Sequence, residues 1–182
     1  MTSLRNEILE LVSQIQPWDV LEERHIQETV AWLQGKDPIF RIEKPNVPDP
    51  HLVSYFAVVD SEAQQVLLVH HKKANLWLPS GGHVEINEHP TETVCRECVE
   101  ELGVQADFLF PGPFFITRTP TVGPMAIHTD VSLWYVLKGD HQTIYHFDQE
   151  EFYTVQWFSF DSIPTQTDPQ MHRFMQKLKD KL

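Results

Sequence analysis

Hydrophobic positions near the N-terminus recur with the spacing of two helices. The first pattern runs up to Pro17, and the second begins after Asp19, which can cap a helix, and stops at Gly35. The apolar positions of the two patterns are Leu4, Ile8, Leu11, Val12 and Ile15, then Val20, Ile26, Val30 and Leu33. The spacing predicts a helical hairpin, and four prolines mark residues 36–50 as a connector.

Beyond residue 50, runs of β-branched and aromatic residues predict strands on both sides of one further helix. The predicted strands cover residues 52–59, 65–71, 106–110, 114–119, 128–137 and 151–160. A loop is predicted over 120–127, and Asp168-Pro169 opens a closing helix. The core face of that helix holds Met171, Phe174, Met175 and Leu178. Strands around a central helix, followed by a closing helix, predict an α/β fold with a mixed sheet covered on both faces.

The central helix belongs to residues 81–104, which contain a glycine turn, a short loop and an acidic amphipathic segment. Pro90 suits the first helical position, and Gly103 suits the left-handed residue that ends a helix. The helix is therefore predicted over residues 90–102. At about 100° per residue its apolar stripe holds Val94, Cys95, Cys98, Val99 and Leu102.

Three carboxylates, Glu97, Glu100 and Glu101, fall on the adjoining arc of this helix. Like charges at this spacing destabilise a helix by roughly 0.2–0.5 kcal/mol per pair. Arg96 is the nearby cation and cannot neutralise three acids. A solvated acidic face explains the arc as well as a site does, but a hard divalent cation would neutralise it, because Mg²⁺ prefers carboxylate oxygens.

The same stretch resembles the Nudix box, in which Gly, five residues, Glu and seven residues precede Arg-Glu-aliphatic-any-Glu-Glu-any-Gly-aliphatic. The matching residues are Gly82, Glu88, Arg96, Glu97, Cys98, Glu100, Glu101, Gly103 and Val104. Cys98 stands at an aliphatic position, a mild departure because a buried thiol packs as a small hydrophobe. Asn87 replaces the family's usual glycine and tolerates a left-handed conformation. The resemblance implies an α/β/α sandwich over residues 46–182, preceded by an N-terminal helical extension, residues 1–45.

The resemblance also implies roles for these residues. Glu100 and Glu101 would be direct ligands of Mg²⁺, with Mn²⁺ as an alternative, and Glu97 a ligand or the general base. Gly82 would offer its backbone carbonyl to the metal, since glycine lets the backbone approach a ligand closely. Arg96 and Glu88 would form an orienting ion pair.

Several residues outside the box are candidates on weaker grounds. A late loop often supplies one more acid in the family, and Glu151, or Glu150 beside it, has that place in the chain. Lys73, Arg118 and His128 are candidate substrate contacts, although surface charge is the favoured explanation for the lysine. Cys95 and Cys98 have the spacing of a zinc pair, but core packing is favoured. The ten histidines show no ligand spacing, so no histidine metal site is assigned.

Charge and composition limit the partners. The net charge is −12, and no basic cluster exceeds Lys72-Lys73, which argues against binding a nucleic-acid polymer. No apolar run approaches 18 residues and no signal peptide is present, so no membrane association is expected and the cytoplasm is the expected location. A small phosphorylated substrate remains compatible, because a bound metal inverts the local field.

The expected activity is Mg²⁺-dependent hydrolysis of a diphosphate bond in a nucleoside diphosphate linked to another moiety. Two alternatives remain: a module that senses a nucleotide without cleaving it, and a diphosphate isomerase. The intact box speaks against the sensor, which has no need of all these acids. The apolar stripes of the hairpin must be covered by the sandwich or by a second subunit, so a homodimer is also considered.

Overall fold

The computed structural model describes residues 3–43, 47–120 and 128–182. The elements in chain order are α1 Leu4–Gln14, α2 Val20–Gln34, β1 His51–Asp60, β2 Gln65–His71, β3 Leu76–Leu78, β4 Ser80–His83, α3 Pro90–Leu102, β5 Phe115–Pro120, β6 Thr129–Lys138, β7 Phe152–Ser159 and α4 Met171–Lys179. Within these residues, none of the helices has the length and apolarity that crossing a bilayer requires.

Strand β1 is the centre of one mixed sheet. It pairs in parallel with β6, and antiparallel with β2 through one half and with β4 through the other. Strands β3 and β7 pair with β2, and β5 pairs with β6. The register places His51 opposite Asp130 and Val53 opposite His83, which brings the starts of β1 and β6 to the end of β4.

Two hydrophobic cores lie on opposite faces of this sheet. One joins the strands to α1, α2 and α3 through residues such as Ile8, Leu33 and Leu102. The other joins them to α4 through residues such as Met171 and Phe174. Burial on both faces is usual for a sheet with parallel pairing at its centre. The predicted α/β/α sandwich with a mixed sheet is confirmed, and the closing helix buries the face that its spacing indicated.

The N-terminal hairpin packs on the sandwich of its own chain, and Ile8 and Val12 are fully buried there. Asp19 caps α2 as predicted, accepting a hydrogen bond from the Glu22 N–H at 2.8 Å. The predicted inward face of α2 is partly wrong, because Val20 is 74% exposed. The residues of α2 that are buried are Glu22, His25, Thr29 and Leu33.

A buried ion pair explains the polar inner face of α2. Lys177 of α4 donates to Glu22 Oε1 at 2.7 Å, and the two side chains are 2% and 0% exposed. The same ammonium donates to the backbone carbonyls of Gln16 and Phe114. Burial raises the pKa of Glu22 and lowers that of Lys177, while their hydrogen bond opposes both shifts. The pair links the hairpin to the last helix of the sandwich.

The strand predictions were partly wrong. Residues 106–110 form no strand and contribute one isolated bridge, Phe108 to Leu137, and Pro111 and Pro113 prevent this bridge from being extended into a longer strand. Strands β3 and β4 were missed, since they are short and β4 contains two glycines. Of the predicted loop, residues 121–127 lie outside the described residues, and Pro120 ends β5.

Candidate active site

Helix α3 begins and ends where its terminal residues predict. It spans Pro90–Leu102, and Gly103 follows with a φ of 68° in the left-handed region. The sequence reading missed a capping box at its start, in which His89 accepts from the Thr91 N–H and Glu92 accepts from the His89 N–H. The fixed start holds the acidic residues of α3 against β4.

The buried face of α3 differs from the predicted apolar stripe. Cys95 is exposed and Val99 is 44% exposed, so core packing was wrong for Cys95 and is confirmed for Cys98. Thr93 and Glu101 are buried in their place. The helix is rotated so that one carboxylate of the acidic arc points toward the sheet.

Glu101 is the most enclosed acid of the arc, at 6% exposure. Its Oε2 accepts a hydrogen bond from the Gly81 N–H at 2.9 Å. Burial, and after it the negative charge of Glu97, raises the pKa of Glu101 well above its usual value. A carboxylate in this position is stabilised by taking up a proton or a cation.

Two glycines of β4 bring backbone against the acids. Gly81 has a φ of +137°, and a Cβ there would lie 2.1 Å from the Ser54 carbonyl oxygen. A Cβ on Gly82 would lie 2.1 Å from Glu97 Oε1. Glycine is therefore required at position 81, where a Cβ would meet fixed backbone, whereas at position 82 a Cβ would have to displace the Glu97 carboxylate.

Arg96 forms the predicted ion pair with Glu88 in a two-pronged geometry, with Nε to Oε1 at 2.9 Å and Nη2 to Oε2 at 3.0 Å. Its Nη1 also contacts Glu97 Oε1 at 2.6 Å and Glu100 Oε2 at 3.2 Å. Burial opposes ionisation of Glu88, but hydrogen bonds led by that from Arg96 hold its pKa below the usual value. One guanidinium is thus shared by three carboxylates and none of its described contacts is to Glu101.

Glu151 lies close enough to this group to act on it electrostatically. Burial raises the pKa of Glu97, and the charges of Glu100 and Glu151 add to the effect. Glu151 raises the pKa of Glu101 as well. The loop that carries it is held to β2 by a hydrogen bond from the Lys72 N–H to the Glu151 carbonyl at 2.9 Å.

This donor set fits a hard divalent cation. The ligand atoms available are carboxylate oxygens, which Mg²⁺ prefers. Burial, and after it the charges of neighbouring carboxylates, raises the pKa values of both Glu101 and Glu97, so a bound cation would relieve the cost of ionising them. The exposed side chain of Glu100, at 58%, leaves one side of the group open to water and substrate.

The three candidate substrate contacts lie on different parts of the fold. Lys73 is exposed in the turn after β2. Arg118 lies on β5 with its Nε 3.8 Å from Glu28 Oε2, and its Nη1 is buried with no hydrogen-bond partner among the described residues. His128 precedes β6, 3.1 Å from Asp130 Oδ1.

The structure contains a histidine cluster that was not predicted from the sequence. His51, His83, His128 and Asp130 present ligand atoms that all lie within 4.8 Å of one another. The residues come from β1, β4 and the start of β6, so no local spacing marks them. The cluster could have been predicted only from the pairing of His51 with Asp130, and that pairing depends on the register between β1 and β6.

The chain is similar to known proteins of one family. The NUDIX domain model matches residues 50–178, which is more than half of the chain. A Bacillus subtilis protein named "Putative 8-oxo-dGTP diphosphatase" is 43% identical over 51 residues. That match covers 28% of this chain and 34% of the relative, so the chain matches about a third of the relative's length.

Solved structures share the fold. An Escherichia coli dihydroneopterin triphosphate pyrophosphohydrolase aligns with a TM-score of 0.59 at 13% identity, covering 75% of this chain and 100% of that one. A Clostridium perfringens hydrolase of the NUDIX family aligns with a TM-score of 0.56 at 21% identity, covering 72% and 98%. With the box residues gathered around α3 and the domain model matched across the sheet, the chain belongs to the Nudix family.

Proposed function

We propose that this protein hydrolyses a diphosphate bond in a nucleoside diphosphate linked to another moiety, using Mg²⁺ or Mn²⁺. The observation that carries the proposal is the buried Glu101 beside Glu97, while the described contacts of the Arg96 guanidinium are to Glu97 and other carboxylates and not to Glu101. Glu97, Glu100 and Glu101 would hold the metal, with Glu151 and the Gly82 carbonyl completing its shell. Small dissolved nucleotides point to the cytoplasm as the place of action.

The chemistry that the metal would supply is polarisation of the phosphoryl oxygens and activation of water. The chain's own contribution is positioning. Arg96 holds Glu97 by a hydrogen bond of 2.6 Å and is itself fixed by Glu88. The Gly81 N–H fixes Glu101. Glu97 serves as ligand or as general base, and its raised pKa favours the second role because a base works best near the operating pH.

Substrate contacts are proposed for Lys73, Arg118 and His128. The buried Nη1 of Arg118, which has no hydrogen-bond partner in the described part of the chain, supports a contact with an anionic oxygen, since a buried donor without a partner is costly. Lys73 is proposed because its side chain is exposed and because it and Glu151 both act electrostatically on His71.

The test is a panel of nucleotides incubated with and without Mg²⁺, followed by ³¹P NMR of the products. The panel includes 8-oxo-dGTP, dihydroneopterin triphosphate, ADP-ribose and sugar nucleotides. We expect new phosphate species that require the metal, abolished by Glu100→Gln with Glu101→Gln and retained in Glu10→Gln, an exposed control on α1. Binding without turnover would indicate a nucleotide sensor, and an isomerised diphosphate would indicate an isomerase; either result overturns the proposal.

A further inference from the structure

We propose that His51, His83, His128 and Asp130 form a second metal site, separate from the acidic arc of α3, that binds a transition-metal dication such as Zn²⁺. The four residues lie at the start of β1, the end of β4 and the start of β6. The sequence reading assigned no histidine metal site. The tertiary structure supplies what spacing along the chain did not.

The distances suit a small coordination shell. Asp130 Oδ1 lies 3.5 Å from His51 Nε2 and 3.1 Å from His128 Nε2. A tetrahedral shell with bonds of about 2.0–2.1 Å places its ligand atoms about 3.4 Å apart. The His51 ring centroid is 4.8 Å from that of His128 and 4.9 Å from that of His83. Small side-chain rotations would therefore complete the shell.

The protonation of His51 is fixed by its other nitrogen. Nδ1 lies 2.7 Å from the Pro48 carbonyl oxygen, which can only accept, so Nδ1 carries the hydrogen. Burial lowers the pKa of His51, and the neutral ring then directs the lone pair of Nε2 at Asp130. A ring N–H held by a backbone carbonyl is the usual support of a metal-bound histidine.

When Asp130 is ionised, two buried acceptors face each other, and because burial raises the pKa of Asp130 to about 7, this ionised form grows as the pH rises through neutrality. His51 is 0% and Asp130 7% exposed, and neither His51 Nε2 nor Asp130 Oδ1 has a hydrogen-bond partner among the described residues. Burying such atoms unpaired costs about 1–3 kcal/mol each. A cation between them removes the conflict, and the carboxylate supplies part of the balancing charge.

The donor set distinguishes this site from the acidic arc. Imidazole nitrogen suits Zn²⁺, Cu²⁺, Ni²⁺ and Fe²⁺, whereas carboxylate sets suit Mg²⁺ and Mn²⁺. Four protein ligands fill a tetrahedral shell and leave no open position, which is typical of a structural zinc site. His83 directly follows Gly82, so an ion here would fasten the active-site strand β4 to β1 and β6.

Arg41 provides an internal test of the proposal. Its Nη1 lies 3.1 Å from His83 Nε2, and a guanidinium can only donate. The guanidinium thus competes with a metal ion for that lone pair and opposes it by charge. Removing Arg41 should strengthen metal binding. If the cluster served only to hold this arginine, its removal would not increase the affinity for metal. When the ion is bound, His128 is a metal ligand and its imidazole cannot also contact substrate.

A second group, Asp60, Asp140 and His141, serves as the matched control. Its ligand atoms also converge, but two of its members are exposed. His141 Nδ1 pairs with Asp60 Oδ2 at 2.7 Å, and Asp60 Oδ1 accepts from the Glu62 and Ala63 N–H groups. These satisfied atoms offer no reason for an ion.

In the experiment, the full chain is first freed of metal with a chelator and then placed in excess Mg²⁺. Zn²⁺ binding is measured by calorimetric titration. The background is Glu100→Gln with Glu101→Gln, which disables the acidic arc, so the result is independent of the proposed hydrolysis. We expect one equivalent to bind. Loss of a residue that only supports a metal ligand weakens metal binding by roughly 10–100-fold. His51→Gln and Asp130→Asn each remove a proposed ligand, so each should weaken Zn²⁺ binding by at least that much. Arg41→Gln should strengthen it, and His141→Gln should leave it unchanged.

A measurement on the unaltered chain covers the case in which the His51 or Asp130 variants do not fold. Crystals grown with Zn²⁺ and measured on both sides of the zinc absorption edge should show an anomalous peak about 2.0–2.1 Å from imidazole nitrogens of the cluster. The inference is overturned by absence of stoichiometric binding, by affinity that ignores His51→Gln and Asp130→Asn in folded variants, or by a peak placed only on the acidic arc.

Discussion

Glu101 is a single side chain that belongs both to the packed face of α3 and to the proposed metal site. It faces the sheet like a core residue, yet it carries a carboxylate whose hydrogen bond comes from the backbone of the glycine turn. In the absence of metal, its ionised form opposes folding. With a cation bound, the same burial strengthens the interaction, because charges attract more strongly where water is excluded.

The first prediction concerns pH and metal. The folded-state pKa of Glu101 is raised, so the penalty from this carboxyl is absent at low pH and grows as pH rises through that pKa. The metal-free chain should therefore lose melting temperature over this range more steeply than Glu101→Gln. Mg²⁺ at 100 times its Kd should restore about 2.7 kcal/mol to the parent. Thermal melts across pH measure both effects; identical curves for parent and variant would contradict the assignment.

At the scale of elements, the pairing of β4 with β1 and the packing of α3 build the site together. Each is held by a feature of the other: the Gly81 N–H binds a carboxylate of α3, and Arg96 of α3 binds the His83 carbonyl of β4. The glycine turn by itself, without the contacts to α3, would not hold these groups in place. The neighbouring glycines of β4 serve separate functions in this arrangement.

The second prediction separates those glycines. Gly81→Ala should destabilise the fold by about 1–3 kcal/mol, because its positive φ is strained for alanine and its Cβ would meet fixed backbone. Gly82→Ala should destabilise the fold less than Gly81→Ala does, but it should lose activity, because its Cβ displaces the movable carboxylate of Glu97. Urea denaturation and Mg²⁺-dependent turnover report the two effects. If Gly82→Ala kept full activity, Glu97 would not need its observed position.

At the scale of the whole molecule, the N-terminal hairpin belongs to the structure of the sandwich. Its apolar residues share a core with the central strands, and the Leu52 N–H donates to the Ile39 carbonyl at 2.9 Å. The apolar stripe that prompted the homodimer expectation is therefore covered largely by its own chain.

The third prediction concerns the ion pair between Glu22 and Lys177. Breaking it from one side, by Glu22→Leu or Lys177→Met, should cost about 3–5 kcal/mol, because a buried charge is left without its partner. Replacing both should recover much of that loss, since apolar pairs of similar volume often match buried ion pairs. A double-mutant cycle in urea measures the coupling. Additive losses would show that the two residues stabilise the fold independently.

The fourth prediction is that deleting residues 1–45 lowers stability or solubility and changes substrate preference or oligomeric state. The deletion exposes the core under α1 and α2 and frees Arg118 from Glu28 and from the ring of Trp32. A soluble truncated chain should still hydrolyse a nucleotide with Mg²⁺, because the acidic arc lies downstream. The control is Arg118→Gln in the full chain, which should shift preference without loss of solubility. A folded truncation without hydrolysis would place part of the active site in the hairpin.

Local signals explain what could be predicted from the sequence. Pro90 and Gly103 set the ends of α3 through backbone conformation, and Asp19 capped α2, because these effects act within one turn of a helix. The resemblance that Gly82, Glu88 and Arg96 help to carry likewise implied an ion pair that the structure contains. Each inference depended on residues that are near one another along the chain.

The tertiary structure decided which faces are buried and which distant groups meet. Periodicity placed Cys95 inward and could not place Glu101, because the rotation of α3 depends on what the sheet and the glycine turn offer it. Residues 106–110 have the composition of a strand, but they meet the end of β6 at a single bridge, and Pro111 and Pro113 follow. The meeting of His51 with Asp130 depends on parallel pairing between strands almost eighty residues apart. A local pattern cannot encode that register, since it results from packing the whole sheet between its two layers of helices.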